Sequence, residues 1–127
     1  MDDDYAEAVL DLVAAIPAGR AMTYGTVAEV VADLLEARDG VRRGGPRQVG
    51  QVMSHAGSGV PWWRVVNAAG RPPARHTTRA LALLGDEGTP LTADGTRVAL
   101  RRAIWFPDDD YRHPRVPRGI HRTPDLP

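Results

Sequence analysis

Residues 22–56 read MTYGTVAEVVADLLEARDGVRRGGPRQVGQVMSHA. Thr23 has a side chain suited to an N-cap, since its oxygen can accept from a backbone N–H that an opening helix leaves unpaired. Val27, Val30, Val31, Leu34 and Leu35 then recur at three- and four-residue spacing, which predicts an amphipathic helix. From Arg38 to Pro46 the chain reads RDGVRRGGP, with three glycines and a proline, so it predicts a loop, and a basic one. Pro46 suits the first turn of the next helix. There Val49, Val52, Met53 and Ala56 make an apolar face, and Arg47, Gly50, Gln51 and Ser54 fall on the opposite one. A helix, a turn and a short helix with a polar face form the helix-turn-helix pattern, though many small bundles share it.

Working outward, Tyr5, Ala8, Val9, Leu12, Val13 and Ile16 predict a helix upstream. The acidic run Asp2-Asp3-Asp4 suits its N-terminus, and Pro17-Ala18-Gly19 stops it. Downstream, Gly57-Ser58-Gly59 ends the short helix. The stretch from Val60 to Arg75 reads as an extended loop or wing with a turn at Asn67 to Gly70. Thr78 to Leu84 predicts another helix with Ala80, Leu81 and Leu84 buried, closed by Asp86-Glu87-Gly88, while Arg97 to Trp105 is too short to type. After Phe106 the chain is rich in Pro, Asp and Arg and has no apolar stripe. The expectation is a mainly α, winged-helix-like domain over residues 1–106 and a tail over 107–127 that is mobile unless docked.

The chain has 127 residues, 43% hydrophobic and 25% charged, enough for one packed domain. It contains no cysteine, which excludes disulfides, thiolate metal sites and a cysteine nucleophile. No apolar run is long enough for a membrane span, and the acidic start is unlike a signal peptide, so a cytoplasmic protein is expected, nucleoid-associated if bacterial. His55, His76, His113 and His121 lack metal-ligand spacing, Asp108-Asp109-Asp110 reads as a solvated segment, and no metal or cofactor is expected. The formal net charge is +0, but the charge is unevenly distributed: residues 1–37 hold eight acids and one base, residues 38–79 eight arginines and one acid. Such polarity can attract phosphate even when the whole molecule is neutral.

Three segments carry a resemblance: IPAGRAMTYG, RQVGQVM and PWWRVVNAAGR, in that order over roughly Leu10 to Gly88. They resemble the DNA-binding domain of O6-alkylguanine-DNA alkyltransferases, whose segments run close to IPxGxxxTYG, RAVGxAM and PCHRVVxxxG. The family's nucleophilic cysteine falls on Trp62 and its partner histidine on Trp63. In this the chain is similar to alkyltransferase-like proteins, whose motif usually reads PWHRV; Trp63 departs from that subfamily too.

The resemblance implies that Arg47 enters the base stack in place of an extruded guanine and that Tyr24 presses on the phosphate 3′ to it. Gly50, Gln51 and Ser54 join them in the DNA-facing set, Gly50 by letting the helix approach the minor groove. A lesion pocket is implied around Trp62, Val65, Arg75, Arg71 and Tyr24, with Arg75 preferred to Arg71 as the basic residue near the purine. Trp62, Trp63 and Glu87 would be a vestigial active site, Glu87 matching a relay glutamate with no partner left to serve. Arg64 is expected to fix the motif through backbone or an acid, and Asn67 to shape the turn. The implied function is a monomeric, non-catalytic sensor of O6-alkylguanine in double-stranded DNA that flags it for nucleotide excision repair. Other readings stay open from the residues alone: a winged-helix regulator of undamaged DNA, an interaction module with a vestigial pocket, or an enzyme such as a glycosylase, for which Glu87 is the only candidate acid in the motif region.

Overall fold

A computed structural model describes residues 3–113. Helix α1 runs Asp3–Ala15, α2 Tyr24–Asp39 and α3 Pro46–Ala56. Their apolar stripes meet in one core that includes Val9, Leu12 and Val13 of α1, Val27, Val30, Val31 and Leu35 of α2, and Val49 and Val52 of α3. Thr23 caps α2 as expected, its hydroxyl accepting from Thr26 N at 3.0 Å. The buried face of α3 is narrower than predicted: Met53 is partly buried and Ala56 is exposed.

The six residues between α2 and α3 make a longer turn than the usual three or four of a helix-turn-helix. Gly40 ends α2 in the left-handed region, its N–H donating to Glu36 O at 2.8 Å. Gly44 is also left-handed, and a Cβ there would sit 2.3 Å from the Tyr5 ring. Arg42 pairs with Asp33 and Glu36, and Arg43 with Asp39. The basic loop is thus folded back on the acids of α2.

The predicted extended segment is short. Strand β2, Val65–Val66, pairs in parallel with β1, Met22–Thr23, inside the fold. Val65 joins the first core, and Val66 a second with Ala21, Leu84, Val98 and Ala103. Gly70 turns the chain in the left-handed region, where a Cβ would lie 2.3 Å from Val98 O. Helix α4 covers Thr77–Asp86, with Ala80 and Leu84 fully buried and Leu81 partly so. The untyped segment contains α5, Leu100–Ala103, and Ile104 bridges in parallel to Ala21.

The first residues of the expected tail are docked, the alternative to mobility that the sequence left open. Asp108 caps a further short helix, α6, Asp109–Arg112. Its Tyr111 packs against the first core, and Arg112 Nε donates to Asp33 Oδ2 at 2.8 Å while pairing with Glu29. Residues 107–113 therefore lie on the domain, held by one aromatic ring and one arginine that made no periodic stripe. The remainder of the expected tail, 114–127, lies outside the described residues.

Candidate nucleic-acid interface

The exposed face of α3 carries Arg47, Gln51 and Ser54, with Gly50 between them. Gln48 reaches back to accept from Gly45 N at 2.9 Å, which steadies the first turn below Arg47. Arg47 has no hydrogen-bond or ion-pair partner among the described residues. A Cβ built on Gly50 meets nothing within 4 Å. Among the described residues no packing contact requires this glycine.

Beside that face opens a cavity of about 350 Å³. Gly50, Met53 and Ser54 of α3 form one wall, Trp62 another, and the residue pair Arg75–His76 with Arg79 of α4 a third; Tyr24 borders it. Trp62 sits in a single 3-10 turn held by Arg64 N donating to Pro61 O at 3.0 Å. The indole is partly buried and belongs to neither core. Its ring lies 5.5 Å from that of His76 and meets Trp63 edge-on, with centroids 5.7 Å apart. Burial pushes the Tyr24 hydroxyl above the usual phenol range, so it stays a neutral donor.

A second cavity, of about 310 Å³, adjoins the first across Tyr24 and Pro73. Arg71 lines this one, with Asn67, Thr77 and Thr96. The five residues expected around one pocket are therefore dispersed. Trp62, Arg75 and Tyr24 come together, and Arg71 faces the neighbouring cleft. Val65 is fully buried in β2 and belongs to the first core. His76 and Arg79, which the sequence reading passed over, complete the pocket; their one signal was sequence proximity to Arg75.

Behind the pocket, Trp63, Arg64 and Glu87 are locked together. Trp63 packs on the second core, and the Arg64 guanidinium lies 5.5 Å from its ring centre. Arg64 Nε donates to Glu87 Oε1 at 3.0 Å, its Nη2 pairs with Glu87 Oε2, and its Nη1 donates to Ile16 O at 2.7 Å. Arg64 thus ties the end of α1, the tryptophan turn and the end of α4 together, the anchoring role expected of it. The Arg64 guanidinium holds the Glu87 carboxyl below the usual carboxylate range against its partial burial. Asn67 shapes its turn, Oδ1 accepting from Ala69 N and Arg71 N, each at 2.9 Å.

Three of the eight arginines in residues 38–79 are spent inside the molecule: Arg42, Arg43 and Arg64. Four more, Arg47, Arg71, Arg75 and Arg79, have unpaired guanidinium groups among the described residues and lie on α3 or line the two cavities. The basic footprint is smaller than the sequence count implied. Among the described residues there is no cluster of three His, Asp or Glu able to hold a metal ion, and no helix long and apolar enough to cross a membrane.

An exposed helix after a capped one, flanked by an aromatic pocket with unpaired cations, is the arrangement of a helical nucleic-acid-binding domain. The model of the 6-O-methylguanine DNA methyltransferase DNA-binding domain matches residues 4–89, and the chain belongs to this family, as an alkyltransferase-like member of it. It is 33% identical over 111 residues to a DNA base-flipping protein of Escherichia coli, covering 82% of this chain and 76% of that one. It is 40% identical over 72 residues to alkyltransferase-like protein 1 of Schizosaccharomyces pombe, covering 55% and 57%. The crystal structure of S. pombe Atl1 with damaged DNA containing O6-carboxymethylguanine superposes with a TM-score of 0.65 at 32% identity, covering 84% of this chain and 99% of that one. A second complex of the S. pombe protein with DNA gives 0.64 at 31% identity.

Proposed function

We propose that this protein is a non-catalytic sensor of O6-alkylguanine in double-stranded DNA. The observation that carries the reading is Trp62: an indole, in a chain without cysteine, forming the wall of an open pocket rather than a plug in the core. An alkyl transfer of the family's kind needs a thiolate to displace the alkyl group; an indole ring gives a flat apolar face instead. Stacking a base on such a face is worth ~1–3 kcal/mol.

The other groups fit the same event. Helix α3 approaches the minor groove with Gly50 against the backbone, since any larger residue would stand between helix and DNA. Arg47 fills the gap left by the extruded base. Tyr24, a neutral donor at the border of both cavities, turns the adjoining phosphate. The base enters beside Trp62 with Arg75 over its electron-rich face or O6 edge. Glu87 takes no part in chemistry, because Arg64 engages it. A base held outside the helix and left unrepaired is a lasting distortion, suited to recruit nucleotide excision repair to a monomeric bound protein.

The test pairs two measurements. Hairpins with O6-methylguanine or guanine in one context should bind with different affinities, the lesion tighter. DNA carrying a radioactive O6-methyl group should leave no label on the protein; stoichiometric transfer would sink the reading, and equal affinities would favour a regulator of undamaged DNA.

A further inference from the structure

The lesion pocket is one-sided in charge. Arg75 and Arg79 line it with the His76 ring beside them, and among the described residues no carboxylate does. Neither Arg75 nor Arg79 has a partner among the described residues. This contrasts with the paired state of Arg42, Arg43, Arg64 and Arg112 in the same molecule. Arg75 and Arg79 stand four residues apart where a 3-10 turn runs into α4. No acid of the described residues pairs with either, so the fold gains no ion pair from these two charges. Charged groups kept unpaired beside a concave apolar wall are suited to an anion that arrives with the ligand.

One cation near the purine is accounted for by the base itself. The further arginine and the imidazole exceed what a neutral alkyl group can use. An O6-methyl or O6-ethyl substituent has no acceptor to offer them. A substituent ending in a carboxylate has two oxygens, and His76, 5.5 Å from Trp62, sits beside the wall where the base would stack. On the lesion-binding reading of this pocket, we propose that its preferred ligands are guanines whose O6 substituent carries a negative charge, with His76 and Arg79 as the residues that set this preference. Arg75 serves the purine whatever the substituent.

The test isolates charge from shape. Hairpins carry O6-carboxymethylguanine, the neutral isostere O6-carbamoylmethylguanine, O6-methylguanine or guanine in one context, titrated at fixed salt. The carboxymethyl adduct should bind about tenfold tighter than the carbamoylmethyl one, or about 1.4 kcal/mol. In the variant carrying both His76→Gln and Arg79→Gln the ratio should fall to within about twofold of one. Both residues are exposed, so folding should survive, and a melting curve checks it. A ratio near one in the unaltered protein overturns the proposal. So does an unchanged ratio in the double variant, whatever that variant does to overall DNA affinity. A different failure, in which no adduct binds better than guanine, would remove the lesion-binding reading itself.

Discussion

Trp62 separates a pocket wall from a core plug by what its removal would cost. It is partly buried, touches His76 and Trp63, and lies outside both cores. Trp62→Ala should therefore lower lesion affinity about five- to 100-fold relative to plain DNA, the equivalent of ~1–3 kcal/mol of lost stacking. The melting temperature should move little; a large drop with an unchanged lesion preference, measured on the same variant, would return Trp62 to the core, where loss of a tryptophan costs ~3–5 kcal/mol. Arg47→Ala should weaken both DNAs, by ~1–3 kcal/mol if a base contact is lost. Extrusion of a fluorescent guanine analogue that proceeds as before in this variant would show that Arg47 is not the group filling the gap. The places of single residues in the three motifs were legible because each has a distinct chemistry: Thr23 at a helix cap, Arg47 on the exposed face of α3, Trp62 in the turn beside it. Val65 was not, because a valine in an extended segment looks alike whether it faces a ligand or a sheet neighbour. His76 was missed because nothing in its local spacing says that the ring turns toward Trp62.

Elements bring a second kind of test, since backbone and function compete within α3. Gly50 weakens a helix interior relative to alanine by about 0.5–1 kcal/mol, and its Cβ position is empty space. Gly50→Ala should thus stabilise the free protein by up to that amount while weakening DNA binding, a trade visible in paired melting and binding curves. Loss of stability instead would mean that the glycine serves packing. The Arg64–Glu87 pair works in the opposite sense, joining three elements behind the pocket. Because Arg64 lowers the folded-state pKa of Glu87, its contribution is present above the unfolded value, near 4.3, and is lost as pH falls through the lower folded one. Glu87→Gln should cost ~1–3 kcal/mol near neutral pH, as for a hydrogen bond to a charged group left unpaired. The gap between the two proteins should narrow as pH drops below about 4.3; a gap that stays constant to pH 3 would mean that the carboxylate's charge does not matter. At this scale helices were readable from apolar spacing and caps. The parallel pairing of β1 with β2 was not, since two residues each are too few to show a period. Nor was α6, whose hold on the domain comes from Tyr111 and Arg112 rather than from a stripe.

For the whole molecule the question is which arginines DNA can use. Linear sequence counts eight of them between residues 38 and 79, but folding sorts them. Arg42 and Arg43 lie against Asp33, Glu36 and Asp39, and Arg64 against Glu87. Each of these brings its own counter-charge and releases few ions from DNA. Arg47, Arg71, Arg75 and Arg79 bring none. Each phosphate neutralised on duplex DNA contributes about −0.9 to the slope of log affinity against log salt, so the four free arginines, some of them engaged with the base rather than a phosphate, set an upper bound of roughly −3 to −4 on its steepness. Joint replacement of Arg42 and Arg43 by glutamine should leave that slope unchanged within error and cost a little stability, since the loop loses its ties to α2. Joint replacement of Arg47 and Arg71 should make it shallower by roughly 1 to 2. The two double variants remove the same formal charge from the same third of the sequence. If both shift the slope equally, net charge alone governs binding and the folded pairing is irrelevant to it. If only the second does, the acids of α2 act as internal counterions, and a chain of zero net charge meets DNA with a positive face because folding has already neutralised Arg42 and Arg43.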